Sequence, residues 1–243
     1  MSSQRSFEST LGKFIGGLKV LKETPVYVPT KEQLKIAFLE NLQADAETKN
    51  SNVVTTGVVL TDLRNERRFI CFSAKDTDTN CLENLFRNIA NFTKAEFSEK
   101  SPAFKRIYSI LKRIKPPRDK KEETVDGQDP KKSKSMSEKS YEAMVGYGNE
   151  VHTIIANLGE AYSPTNTNIT VENLRAKVDQ LAGLNASIVK AESDYSKAVT
   201  ERNEVYNGEV GIKNIIPLIK NYLASFEGGK NNEYYKSFVN AVK

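Results

Sequence analysis

Residue types able to do chemistry are scarce in this chain, and their spacing fits few reactions. The only histidine is His152, set in Tyr147-x3-Val151-His152-x-Ile154-Ile155. A zinc or di-iron centre would therefore need an unusual ligand set, and Asn149 breaks the Glu-x-x-His pattern of carboxylate-bridged bundles. A general base at His152 would have no evident nucleophile, so the residue reads as the solvent-flanking side of a helix. Cys71 and Cys81 flank one turn. They are expected as free, partly buried thiols, since a disulfide would need their Cβ atoms within about 3.8 Å and would clip only that turn. Asp76-Thr77-Asp78-Thr79-Asn80 starts like a calcium loop. It then fails, with Cys81 where an EF-hand needs glycine and Arg87 where it needs the bidentate glutamate. Helix capping accounts for the cluster. A Gly-rich phosphate loop and a nucleophile elbow are both missing, so the chain reads as non-enzymatic, with no cofactor, metal or small-molecule substrate indicated.

Two polar features remain. Arg64-Asn65-Glu66 recurs as Arg202-Asn203-Glu204, placing Arg64, Glu66, Arg202 and Glu204 at matched positions. An arginine there can cover apolar surface while reaching a carboxylate or the last carbonyls of a helix. The second feature is charge. The chain carries 36 Lys+Arg against 31 Asp+Glu, a formal net charge of +5. That excess is local, because residues 100–121 hold nine basic residues and one acidic. Lys105, Arg106, Lys112, Arg113, Lys115, Arg118, Lys120 and Lys121 are the candidates for contacting an anion. No aromatic platform or groove-reading helix accompanies them in the sequence. Protein, including a second copy of the chain, is the first expectation for a partner, and nucleic acid or an anionic surface the alternative.

These residues must be held by elements, and the elements come in two sets. Ser6-Phe7 matches Ser140-Tyr141, and Tyr27-x-Pro29-Thr30 matches Tyr162-x-Pro164-Thr165. The two Arg-Asn-Glu sequences follow, and then NLFRNIANF at 84–92 parallels NIIPLIKNY at 214–222. The same order in both halves indicates two tandem copies, 1–115 and 140–243, joined by a charged Pro/Gly/Ser-containing linker at 116–139.

Phe7, Leu11, Phe14, Leu18 and Leu21 recur at helical spacing. Thr30 with Gln33 forms a capping-box pattern for a long helix from Lys31 to about Phe72. Its stretch VVTTGVVL is locally ambiguous with a strand, and the repeat favours helix. In the second copy apolar residues run at threes and fours from Leu174 to Val205, ending at Asn207-Gly208. Asn80 and Glu83 look like a cap for the next helix, with Leu82, Leu85, Phe86, Ile89 and Phe92 as its stripe. Ser101-Pro102 opens another, with Phe104, Ile107, Tyr108, Leu111 and Ile114. Tyr27 and Tyr162 are expected to pack over the turn before each long helix. The class is all-α: an elongated helical bundle of two tandem units, each with one long central helix and shorter flanking helices, the two packing as one bundle.

The Tyr27-Val28-Pro29 and Tyr162-Ser163-Pro164 turns, the long Leu-rich helices and the two Arg-Asn-Glu sequences resemble those of uncharacterised, tandemly repeated helical proteins from Bacteroidota. That resemblance implies the repeat and the helical fold, and no activity. No apolar run approaches the roughly 20 residues of a membrane span, and MSSQRSFEST lacks the pattern of a secretory signal. A cytoplasmic location is expected.

Overall fold

Proline-free stretches with apolar residues at threes and fours produce the two longest elements. The computed structural model describes residues 4–72, 80–114 and 140–243. Eight α-helices are present among them: α1 (Gln4–Lys22), α2 (Ile36–Cys71), α3 (Leu82–Phe97), α4 (Pro102–Ile114), α5 (Tyr141–Ala156), α6 (Val171–Asn207), α7 (Ile212–Ala224) and α8 (Glu233–Ala241). The described residues contain no strand, so the fold is all-α. No helix among them is long and apolar enough to cross a membrane. The 116–139 segment lies outside the described residues.

VVTTGVVL is helical throughout. Leu39, Ala46, Val53 and Leu60 fall at heptad spacing and are all buried, which outweighs the few tenths of a kcal/mol that each β-branched residue costs a helix. In α6, Leu174, Leu181 and Ile188 occupy one heptad position and Leu184, Ala191 and Ala198 the other, all buried.

The start of α2 departs from expectation. A 3-10 turn forms at Glu32–Leu34, Lys35 is extended, and the α-helix begins only at Ile36, so the Thr30–Gln33 box does not cap it. The buried Tyr27 hydroxyl donates to the Leu34 carbonyl at 2.7 Å. That carbonyl would otherwise accept the N–H of Phe38 in a continuous helix. Likewise Cys81, not Asn80, takes the N-cap position of α3, without a side-chain cap bond. Ser101 caps α4 as its sequence suggests, its Oγ accepting from Phe104 N at 3.2 Å, and Ser140 caps α5, its Oγ accepting from Ala143 N at 3.0 Å.

The chain divides into two compact units, one built from its two ends, Met1–Leu60 with Ala191–Lys243, and one from its middle, Thr61–Lys190. The unit boundary thus falls inside both α2 and α6. In the first unit, Phe7, Phe14, Leu18 and Leu21 of α1 share a core with Leu39 of α2, Tyr206 of α6, the Ile212/Ile215/Ile219 stripe of α7 and Phe238 of α8. Gly17 allows this close approach, because a Cβ there would come within 2.7 Å of Val242 Cγ1 and 2.8 Å of the Phe238 ring. Asn50 Nδ2 donates to the buried Tyr206 hydroxyl at 2.8 Å, and Tyr27 meets Tyr222 edge-on at 5.3 Å. Pro217 lies inside α7, removing one N–H from its ladder.

In the second unit, Leu82, Leu85, Phe86 and Ile89 of α3 share a core with Ile107 and Ile110 of α4, Val151 and Ile155 of α5, and Leu174 and Val178 of α6. Tyr162 donates its hydroxyl to the Ile169 carbonyl at 2.7 Å and meets Phe92 edge-on at 5.2 Å.

Gly146 and Gly148 of α5 make a matched test of this packing. A Cβ at Gly148 would collide with the Val178 side chain, whereas one at Gly146 meets nothing within 4 Å. Gly148→Ala is expected to destabilise by about 1–3 kcal/mol through overpacking. Gly146→Ala is expected to stabilise by about 0.5–1 kcal/mol through helix propensity. Urea midpoints measure both, and equal effects would contradict the packing.

The two turn tyrosines, Tyr27 and Tyr162, generate a second prediction. Burial raises the pKa of both Tyr27 and Tyr162, with the nearby Tyr222 adding to the rise at Tyr27. Their unfolded phenols titrate near about pH 10. Above that pH the unfolded chain loses these protons while the folded one keeps them, so stability is complete below it and declines as pH rises. The decline should be shallower in the Tyr27→Phe/Tyr162→Phe variant; identical slopes in chemical denaturation would contradict the assignment.

Candidate functional site: a cationic groove between two helices

The turn from α3 to α4 is tight, and its geometry comes at a conformational cost. Ser98, the residue closing α3, has φ 74° and ψ 159°. That region belongs almost exclusively to glycine, and holding another residue there costs about 1–3 kcal/mol. Ser101 N donates back to the Ser98 carbonyl at 3.3 Å, and Ser101 then caps α4 with Pro102 as its first residue. The strained turn lays α4 against α3.

The two helices leave a groove of about 340 Å³ between them. From α3 come Glu83, Arg87, Asn91 and Lys94; from α4 come Phe104, Tyr108, Leu111 and Lys112. Phe104 is buried, and its ring stacks against Tyr108 at 5.5 Å and 15°. Tyr108 stays 45% exposed, unusual for an aromatic ring beside an apolar core. The Lys112 ammonium lies over the Tyr108 ring at 4.6 Å, and Lys94 is 5.8 Å from the Phe104 ring. Such cation–ring contacts are worth about 0.5–1 kcal/mol at exposed sites. At the α3 end, buried Glu83 pairs with Arg87 at 3.5 Å; Lys94 pairs with Glu99 at 3.3 Å. The groove therefore has an aromatic and aliphatic floor, three exposed cations at its edges and one carboxylate at its base. Its α4 wall carries no acidic residue at all.

The basic residues singled out in the sequence are only partly gathered here. Lys105, Arg106, Lys112 and Arg113 are all exposed on α4. Lys112 joins the groove, whereas Arg106 approaches Glu150 at 3.9 Å and the Arg113 guanidinium lies 5.7 Å from the Tyr147 ring, both on α5. Lys115, Arg118, Lys120 and Lys121 lie outside the described residues. Arg87, Lys94, Phe104 and Tyr108 were not singled out as site residues. The signal for them was the i, i+4 run Phe104, Tyr108, Lys112 facing the i, i+7 pair Arg87 and Lys94.

The repeated polar positions do not converge. Arg202 is buried in the first unit with its guanidinium 4.1 Å above the Phe7 ring. Arg64 and Glu66 are exposed on α2 and Glu204 is exposed on α6. The arginine seated on a ring in the second unit is Arg67, 3.9 Å above Tyr141, which also donates to Asn185 Oδ1 at 3.4 Å. Glu66 accepts from Gln180 Nε2 at 3.4 Å, beside a broad depression that also contains the exposed Phe69.

His152 is half-buried on α5. No group of three or more His, Cys, Asp or Glu side chains is placed to hold a metal among the described residues. Residues 76–79 of the calcium-like sequence lie outside them. Cys71 and Cys81 are both free thiols, and both are fully buried rather than partly so. Burial pushes the Cys71 thiol up to about 12, with Arg67 opposing and Cys81 adding to the rise.

No protein-family profile matches the sequence, and comparison with curated proteins and with solved structures likewise returns no match.

Relieving the turn should be measurable. Ser98→Gly is expected to raise stability by about 1 kcal/mol, the strain of the φ/ψ region less the entropy that glycine adds to the unfolded chain. A fall in the denaturation midpoint would contradict the strain.

Proposed function

We propose that this chain is a non-enzymatic helical scaffold that works by binding another protein, and that the α3–α4 groove is its contact surface. The exposed Tyr108, stacked on Phe104 and ringed by Arg87, Lys94 and Lys112, carries the reading. An exposed tyrosine and an arginine beside an apolar floor are side chains enriched in protein-binding hot spots, and the two lysines supply a charged rim. The two buried free thiols fit a reducing, intracellular setting.

We also infer that the scaffold is a tandem duplication, as the resemblance to repeated helical proteins implies. Tyr162 follows Tyr27 by the same 135 residues that separate Ile169 from Leu34 and Arg202 from Arg67. Each pair makes the same interaction: hydroxyl to carbonyl at 2.7 Å, or guanidinium over an aromatic ring at 3.9 and 4.1 Å. In this register Arg67, three residues beyond Arg64, is the counterpart of Arg202.

The alternative is an anionic-surface or nucleic-acid binder using Lys105, Arg106, Lys112 and Arg113. Two observations weigh against it. Arg106 and Arg113 turn toward α5, and Tyr108 is bracketed by Phe104 one turn before and Lys112 one turn after, leaving its ring poorly placed to stack on a base. Gel-shift titration with single-stranded DNA, duplex DNA and RNA tests the choice. No shift is expected even at low salt. A shift that weakens linearly in log[salt] and disappears when those four residues are neutralised would favour the alternative.

A further inference from the structure

We propose that the α3–α4 groove recognises an acidic amphipathic segment of its partner, with one apolar side chain seated on the floor and carboxylates on either side of it. The inference rests on the protein-binding reading above and specifies what that surface selects.

Size sets the first limit. About 340 Å³ lies at the small end of ligand sites, which span about 300–1,000 Å³. One or two side chains fill it. The floor of Phe104, Tyr108 and Leu111 is apolar, so the side chain that enters must be apolar too. Burying a Leu or Phe there is worth about 1.5–3 kcal/mol.

Charge sets the second. Residues 82–114 contain seven basic and three acidic side chains, and Lys105, Arg106, Lys112 and Arg113 face no acid on their own helix. Lys112 lies over the Tyr108 ring, and Arg87 and Lys94 each pair with one carboxylate, Glu83 and Glu99. These cations are exposed and sit at the rim, where opposite charge steers association and selects between partners. Arg87 and Lys94 stand two helical turns apart, about 10 Å along α3. Carboxylates i, i+3 or i+4 around an apolar anchor on a partner helix span a comparable distance.

The carboxylate of Glu83 at the base separates this ligand from a polyphosphate. It would repel a phosphate lodged deep in the groove, while an apolar side chain there leaves the Glu83–Arg87 pair intact. A protein segment, apolar at its centre and acidic at its flanks, complements the groove from floor to rim.

The test is selection of a random peptide library displayed on phage against the full chain, followed by affinity measurement of the enriched peptides by fluorescence polarisation. Enrichment of Asp or Glu flanking Leu, Ile or Phe is expected. Lys94→Glu/Lys112→Glu should weaken those peptides at least tenfold, as should Tyr108→Ser, with cooperative folding retained in circular dichroism. Replacing the peptide acids by Gln should weaken binding to the unmodified protein by a similar factor and abolish the effect of the lysine reversals. Enriched peptides that lack acids, or that bind the lysine and tyrosine variants as tightly as the original chain, would overturn this inference while leaving protein binding standing. No enrichment at all would overturn both.

Discussion

The need to cover two helices far longer than their neighbours organises everything else. At 36 and 37 residues, α2 and α6 extend about 54 and 55 Å at 1.5 Å per residue. The flanking α1, with 19 residues, and α3, with 16, reach only about 28 and 24 Å. None of these shorter helices can cover a long one along its whole length, and an uncovered apolar stripe would be an aggregation liability. Leu39 of α2 is therefore covered in one core by α1, α7 and α8, whereas Ile70 and Cys71 enter another with α3, α4 and α5. α6 does the reverse, giving Leu174–Leu184 to the second core and Tyr206 to the first.

Hydrophobic burial alone would leave such heptad-spaced helices free to slip in register, and polar contacts, one buried and one part-buried, fix it. Asn50 pairs with Tyr206 inside the first unit, and Arg67 with Asn185 inside the second. A buried polar residue in a heptad core sets register at some cost in stability. That cost is visible here, because Asn50 Oδ1 and Arg67 Nε are buried without a hydrogen-bond partner among the described residues. The Tyr27 and Tyr162 hydroxyls act at the other end of each long helix by holding a carbonyl out of the helical ladder, so the helix starts where the core needs it.

Much of this was legible in the residues. The end of α6 at Asn207, the stripe of α1, the Ser101-Pro102 opening of α4 and the tyrosines over the turns all follow from spacing and cap chemistry. What was not legible depended on partners distant in sequence. Nothing local says that Leu34 will lose its carbonyl to Tyr27, so Thr30–Gln33 reads as a cap. Arg64 and Arg67 look alike on a helix, and only Tyr141 distinguishes the one that becomes covered. The groove depends on Ser98 adopting a backbone conformation that no serine advertises, and on two helices whose charges are unremarkable until the turn brings them together.

The central claim is that each compact unit needs α1 or α5 from one half of the chain and the α7–α8 or α3–α4 pair from the other. Circular dichroism melting of fragments 1–115 and 140–243, separately and mixed, tests it most directly. Neither fragment alone should melt cooperatively, since each would expose the apolar stripe of its long helix, and mixing the two should restore a single steep transition. Cooperative unfolding of 1–115 alone as a monomer would contradict the account.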